Sequence, residues 1–140
     1  MDPAAARDIA YASHGAQRTR SGECLVEHLE RVAAAVPAHA RAVAFLHDVL
    51  EHTDRSGAEL GALGLAPAEL EAIQTLTRGP TESFEAHALR IAYAKGEAGR
   101  LARAVKLADI DDHLARDRST RPYQWARCHI ANRQSLQSVA

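Results

Sequence analysis

In the stretch AVAFLHDVLEHT (residues 42–53), a His-Asp pair sits inside an apolar run and a Glu-His pair follows one turn later. Imidazoles and carboxylates together can ligate a divalent cation, move a proton to or from water, or pair with one another. Burying such groups without partners costs roughly 2–7 kcal/mol each, more when ionised. On a helix, His47 shares a face with Glu51, and Asp48 shares the neighbouring face with His52. Either these are surface pairs worth a few tenths of a kcal/mol, or they are aimed at something bound. A zinc-protease helix is excluded, because His47 and His52 are five apart and no H-E-x-x-H occurs. One helix cannot complete a mixed imidazole-carboxylate site. His28, in EHLERVA, and Asp109, in AVKLADIDDHL, carry the same donor types elsewhere in the chain.

The elements that must position these residues read as helices throughout. Asp2-Pro3 starts a helix running to about His14-Gly15, with Pro at the first helical position. Leu25, Leu29, Val32, Ala33 and Val36 form one stripe at helical period. Pro37 ends that helix and opens the next, about 38–51, with Val43, Leu46 and Leu50 inward. Ser56 caps a short helix, Pro67 opens another, and Gly79-Pro80 breaks the chain before a helix capped by Thr81 or Ser83 and reaching about 95. A long helix over about 97–115 carries Leu101, Val105, Leu107 and Ala108, and a last one covers about 122–136. No alternating Val/Ile/Thr-rich run competes as a strand. The expectation is a single all-α domain over residues 1–140, a compact bundle of about seven to eight helices.

The 140 residues are 46% apolar and 25% charged, with net charge −1. That balance argues against a general nucleic-acid or membrane-surface binder, which would carry a basic excess. No apolar run approaches the ~18 residues a membrane span needs, and the start MDPAAARDIAYAS has neither the basic nor the apolar region of a secretory signal. Cys24 and Cys128 form no C-x-x-C pair. The expected location is the cytoplasm. Eight histidines are the unusual feature of the composition.

Four segments in this order resemble a known family: HGAQRTRSGECLVEHLERVA (14–33), AVAFLHDVLEHT (42–53), LTR (76–78) and RAVKLADIDDHL (103–114). They are similar to the HD-domain metal-dependent phosphohydrolases. More closely, they resemble the RelA/SpoT-type hydrolase half of the bacterial alarmone (ppGpp) enzymes and its small stand-alone relatives. There the segments read roughly H-x-G-Q-x-R-x-S-G-E-P-Y-x-x-H-P-x-x-V-A, A-x-L-H-D-x-x-E-D-T and V-K-L-A-D-x-x-x-N. The resemblance covers about residues 8–115 and leaves the last helix out.

The resemblance implies a divalent metal held by His28, His47, Asp48 and Asp109. Two imidazoles and two carboxylates suit manganese, iron or magnesium more readily than a structural zinc, and manganese is the usual ion of the alarmone branch. Glu51 and His52 occupy the positions of the Glu-Asp pair that orients or deprotonates the attacking water. His52 departs from the family, so either its imidazole replaces the base or it only pairs with Asp48. Around the substrate, the family's base-contacting Arg is Thr19, flanked by Arg18 and Arg20, and its Asn is His113. Lys106 is placed to reach a phosphate or to lie along the surface. The implied activity is hydrolysis of a nucleotide phosphate ester or pyrophosphate, possibly the 3′-pyrophosphate of ppGpp. The alternative is a catalytically weakened module that binds a nucleotide or a protein partner without turnover. His14, His39, His87 and His129 read as core or surface histidines or as supports behind a ligand, Tyr123 and Trp125 as core anchors ahead of base-stacking residues, and Arg116, Arg118 and Arg121 as a solvated basic helix end, with phosphate contact as the alternative.

Overall fold

The structure is a computed structural model that describes residues 1–116 and 121–139, with side chains to residue 136. Among the described residues there are nine α-helices: α1 (Pro3–His14), α2 (Leu25–Ala35), α3 (Arg41–Leu46), α4 (Val49–His52), α5 (Gly57–Ala62), α6 (Pro67–Leu76), α7 (Phe84–Tyr93), α8 (Gly96–Arg116) and α9 (Arg121–Val139). A 3-10 turn, Ala38–Ala40, precedes α3. The described residues form no strand; a single antiparallel bridge joins Arg18 to Cys24. The all-α expectation is borne out.

The start signals act where the sequence puts them. Pro3 and Pro67 lie in the first turns of α1 and α6. The Ser56 hydroxyl accepts from the Glu59 N–H, and Ser83 accepts from the Ala86 N–H, satisfying donors that a helix start leaves open. The helix expected over 38–51 is instead broken into a 3-10 turn and two short helices, with the break at His47-Asp48. His47 donates Nδ1–H to the Ala44 carbonyl at 2.7 Å, competing for the acceptor that a continuing helix would give to the Asp48 N–H. That turn aims both side chains out of one segment.

The core is aliphatic. Leu29, Val32, Val43, Leu46, Val49, Ile73, Ile91, Val105 and Ile110 are fully buried, drawn from six helices. Helix α6 packs on α8, α7 on α9 and α1 on α3. The close seating of α8 depends on Gly99, where a Cβ would stand 2.1 Å from the Ala94 carbonyl oxygen. The same oxygen accepts from the buried Arg103 guanidinium at 2.6 Å. Trp125, expected as a core anchor, is exposed on α9 against the His129 ring, because Ala126 and Ile130 supply that helix's buried face. No helix of the described residues is long and apolar enough to cross a membrane. Cys24 and Cys128 are free.

Candidate metal centre and substrate cavity

Three segments bring the four expected ligands together. Helix α2 supplies His28, the turn between α3 and α4 supplies His47 and Asp48, and α8 supplies Asp109. His28, His47 and Asp109 are buried, and Asp48 is half-buried. His28 Nε2 lies 3.0 Å from Asp109 Oδ1, and His47 Nε2 lies 3.6 Å from the same oxygen and 3.5 Å from Asp48 Oδ2. Ligand atoms of His28, His47 and Asp48 all lie within 4.8 Å of one another, as do those of His28, Asp109 and His113.

The other ring nitrogens are tied down. His47 Nδ1 is bonded to Ala44 O, and His28 Nδ1 meets Asp112 Oδ2 at 2.7 Å, so both Nε2 atoms face the centre. Asp112 is itself held by Arg31, whose Nε donates to Oδ1 at 2.7 Å and whose Nη2 also reaches Glu23. The sequence reading missed Asp112. Arg116 reaches it along α8, but the partners that tie it to the centre lie on α2, and no local spacing announces a contact between two helices.

Electrostatics mark the centre as short of positive charge. Burial pushes the His47 imidazole down, but Asp48 and Asp109 outweigh it and lift it to about 9. His28 is raised as well: burial works against its charged form, and Asp109 and Asp112 prevail. Asp109 is buried yet held well below the usual carboxylate range by Lys106, His113, His28 and His47. Even so, Asp109 Oδ1 and His47 Nε2 are buried with no hydrogen bond of proper geometry. Native proteins rarely leave such atoms unpaired. A cation accepting lone pairs from both would satisfy them, so the donor set fits a divalent ion.

The centre forms the floor of a cavity of about 500 Å³. The four expected ligands line it, together with Glu51, His52, Arg18, Arg20, Lys106 and His113. Lys106 Nζ meets Asp109 Oδ2 at 2.9 Å. His52 does not pair with Asp48. Its Nε2 lies 3.2 Å from Glu51 Oε2, which raises the imidazole and lowers the carboxyl. Arg18 braces the turn before α2 by donating to Gly22 O at 2.7 Å.

The cavity also has a wall the sequence reading did not anticipate. His113 stacks on Tyr123 (5.0 Å, 12°), and Tyr123 meets Phe84 edge-on (5.6 Å, 86°). Tyr123 packs against the core, as expected, and lines the cavity as well. His87 lines it too, buried between Glu82, Arg90 and Lys106, and is pushed down to about 4 by burial and by the two cations. His14 is a core histidine bonded to Gln17, while His39 and His129 are exposed. Of the basic cluster, Arg116 and Arg121 are exposed and Arg118 lies outside the described residues.

No protein-family model matches the sequence, and no curated protein matches it. Among solved structures, the chain is similar to a metazoan orthologue of SpoT that hydrolyses ppGpp and plays a role in starvation responses. The TM-score is 0.73 at 19% identity, over 95% of this chain and 85% of that one. The two proteins share an all-α fold.

Proposed function

We propose that the protein is a metal-dependent phosphohydrolase acting on a nucleotide phosphate ester or pyrophosphate, with the 3′-pyrophosphate of ppGpp as the leading substrate. One observation carries this reading: His28, His47, Asp48 and Asp109 converge from three segments on one cavity, with Asp109 Oδ1 and His47 Nε2 buried and without a hydrogen bond of proper geometry. These four would hold one divalent ion, manganese first, with iron(II), magnesium and zinc as the other candidates. When bound, such an ion lowers the pKa of water and polarises a phosphoryl oxygen.

The chain's own residues do the rest. Glu51, kept ionised by its neighbour His52, accepts a hydrogen bond from the attacking water and aligns it. Arg18 and Arg20 place positive charge where phosphates would arrive. Lys106 offsets the charge of Asp109 and lies within the cavity for a phosphate oxygen. His113 closes the same side of the cavity as the aromatic wall. The working unit is one domain over residues 1–140, its partner a small nucleotide, and its location the cytoplasm.

One contact favours the second reading, a binding module with weakened catalysis: His52 turns to Glu51 and shares the carboxylate meant for water. A panel of nucleotides, alarmones included, incubated with purified protein and manganese distinguishes the two by release of phosphate or pyrophosphate.

A further inference from the structure

Asp109 divides its two oxygens between different partners. Oδ2 receives Lys106. Oδ1 faces three imidazole nitrogens, the Nε2 atoms of His28 at 3.0 Å, His113 at 3.2 Å and His47 at 3.6 Å. Donors bonded to one ion at about 2.1 Å stand about 3 Å apart when adjacent and about 4.2 Å apart when opposite. All three separations fall in that window. His113 is four residues after Asp109 on α8, the spacing at which a helix offers two side chains to one point. Its ring is held by packing between Tyr123 at 5.0 Å and His28 at 5.1 Å.

We propose that His113 is a third imidazole ligand, and not a substrate contact: its ligand atom groups with those of His28 and Asp109 within 4.8 Å, while His47 and Asp48 group with His28 on the other side, so an ion held by all five draws the two groups together. The inference rests on the metal-dependent reading above. It has a chemical consequence. Three nitrogens and two oxygens favour cobalt, iron(II) or zinc over manganese and magnesium more strongly than two and two, because imidazole suits the later metals.

The test uses cobalt(II) and manganese(II) on chelator-stripped protein. The variants are His113→Phe, which keeps a ring against Tyr123 but cannot ligate, and His113→Asn. Wild type is expected to bind one cobalt per chain. Both variants should bind it roughly 10-fold or more weakly, since losing a ligand should cost at least what losing its outer support does. Their visible cobalt spectra should change, the loss for manganese should be smaller, and metal-free melting should stay near wild type. Wild-type affinity and an unchanged cobalt spectrum in both variants would overturn the role of His113 and leave the four-residue site standing. A wild-type protein that binds neither metal would overturn the metal reading itself, and this inference with it.

Discussion

His28 Nδ1 and Asp112 Oδ2 lie 2.7 Å apart across the seam between α2 and α8, and this contact fixes the face of His28 that looks into the cavity. Burial works against the Asp112 charge, but Arg31 and His28 hold its carboxyl far below the usual range. It therefore stays an acceptor and keeps the His28 proton on Nδ1. Asp112→Asn should weaken divalent-metal affinity about 10–100-fold without touching the centre, the range seen when an outer partner of a ligating histidine is lost. Calorimetric titration of the stripped protein checks this. Unchanged affinity would mean that the ring is held by packing alone.

Binding of the ion should also appear as stability. An ion that binds only the folded chain adds about 2.7 kcal/mol at 100-fold excess over its dissociation constant, roughly 10 °C in melting temperature for a domain of this size. Asp109→Asn should abolish the shift. Protons compete for the ligands, and with His47 lifted to about 9 the apparent affinity should climb as pH rises toward that value. Melting curves with and without manganese at several pH values read both effects.

Acid should destabilise the fold through His87. Its Nδ1 lies 3.1 Å from Arg90 Nη2, which it accepts from when unprotonated; Glu82 Oε1, 3.2 Å from the same nitrogen, works the other way, but burial and the two cations outweigh it. The folded imidazole titrates at about 4, against about 6.5 when unfolded, so protonation favours the unfolded chain. The contribution is complete above about pH 6.5 and is lost as pH falls toward 4, at most about 3 kcal/mol. Glu82, held to about 2 chiefly by Arg90, gives up its share only below about 4.5. Urea midpoints from pH 7.5 to 4 should therefore fall less steeply in His87→Gln than in wild type above pH 4.5. Parallel curves would remove His87 from this role.

Much of this was legible in the sequence because it is written locally. Pro3, Ser56, Pro67 and Ser83 mark helix starts, and the stripe Leu25-Leu29-Val32 marks a buried face. The ten residues that the family resemblance picked out lie far apart in the chain, and all ten line one cavity. Contacts between helices were not. The Asp112–His28 pair, the Tyr123–His113 stack and the exposure of Trp125 depend on how α8 and α9 lie against their neighbours. The break at His47-Asp48 was hidden because apolar periodicity runs straight through it, while a single side-chain bond to Ala44 competes with the helix.

Glu51 is assigned to the attacking water and not to the ion. Glu51→Gln should cut turnover roughly 10²–10⁴-fold, the usual range for a general base, and leave metal content unchanged. His52→Asp should raise turnover if His52 now restrains Glu51, and leave it similar or lower if the imidazole serves as the base. Steady-state rates on the best substrate, with elemental analysis of each variant, decide. Full activity in Glu51→Gln would refute the assignment.

On the proposed reading, the cluster of His28, His47, Asp48 and Asp109 serves hydrolysis of phosphate esters with a bound divalent ion. The most direct measurement is release of phosphate or pyrophosphate from ppGpp and a nucleotide panel, by wild type and Asp109→Asn, with manganese and with excess chelator. Wild type should release it only when metal is present, on at least one substrate, and Asp109→Asn should release none. Metal-loaded wild type that releases nothing from any substrate, or releases as much in chelator, would contradict that reading.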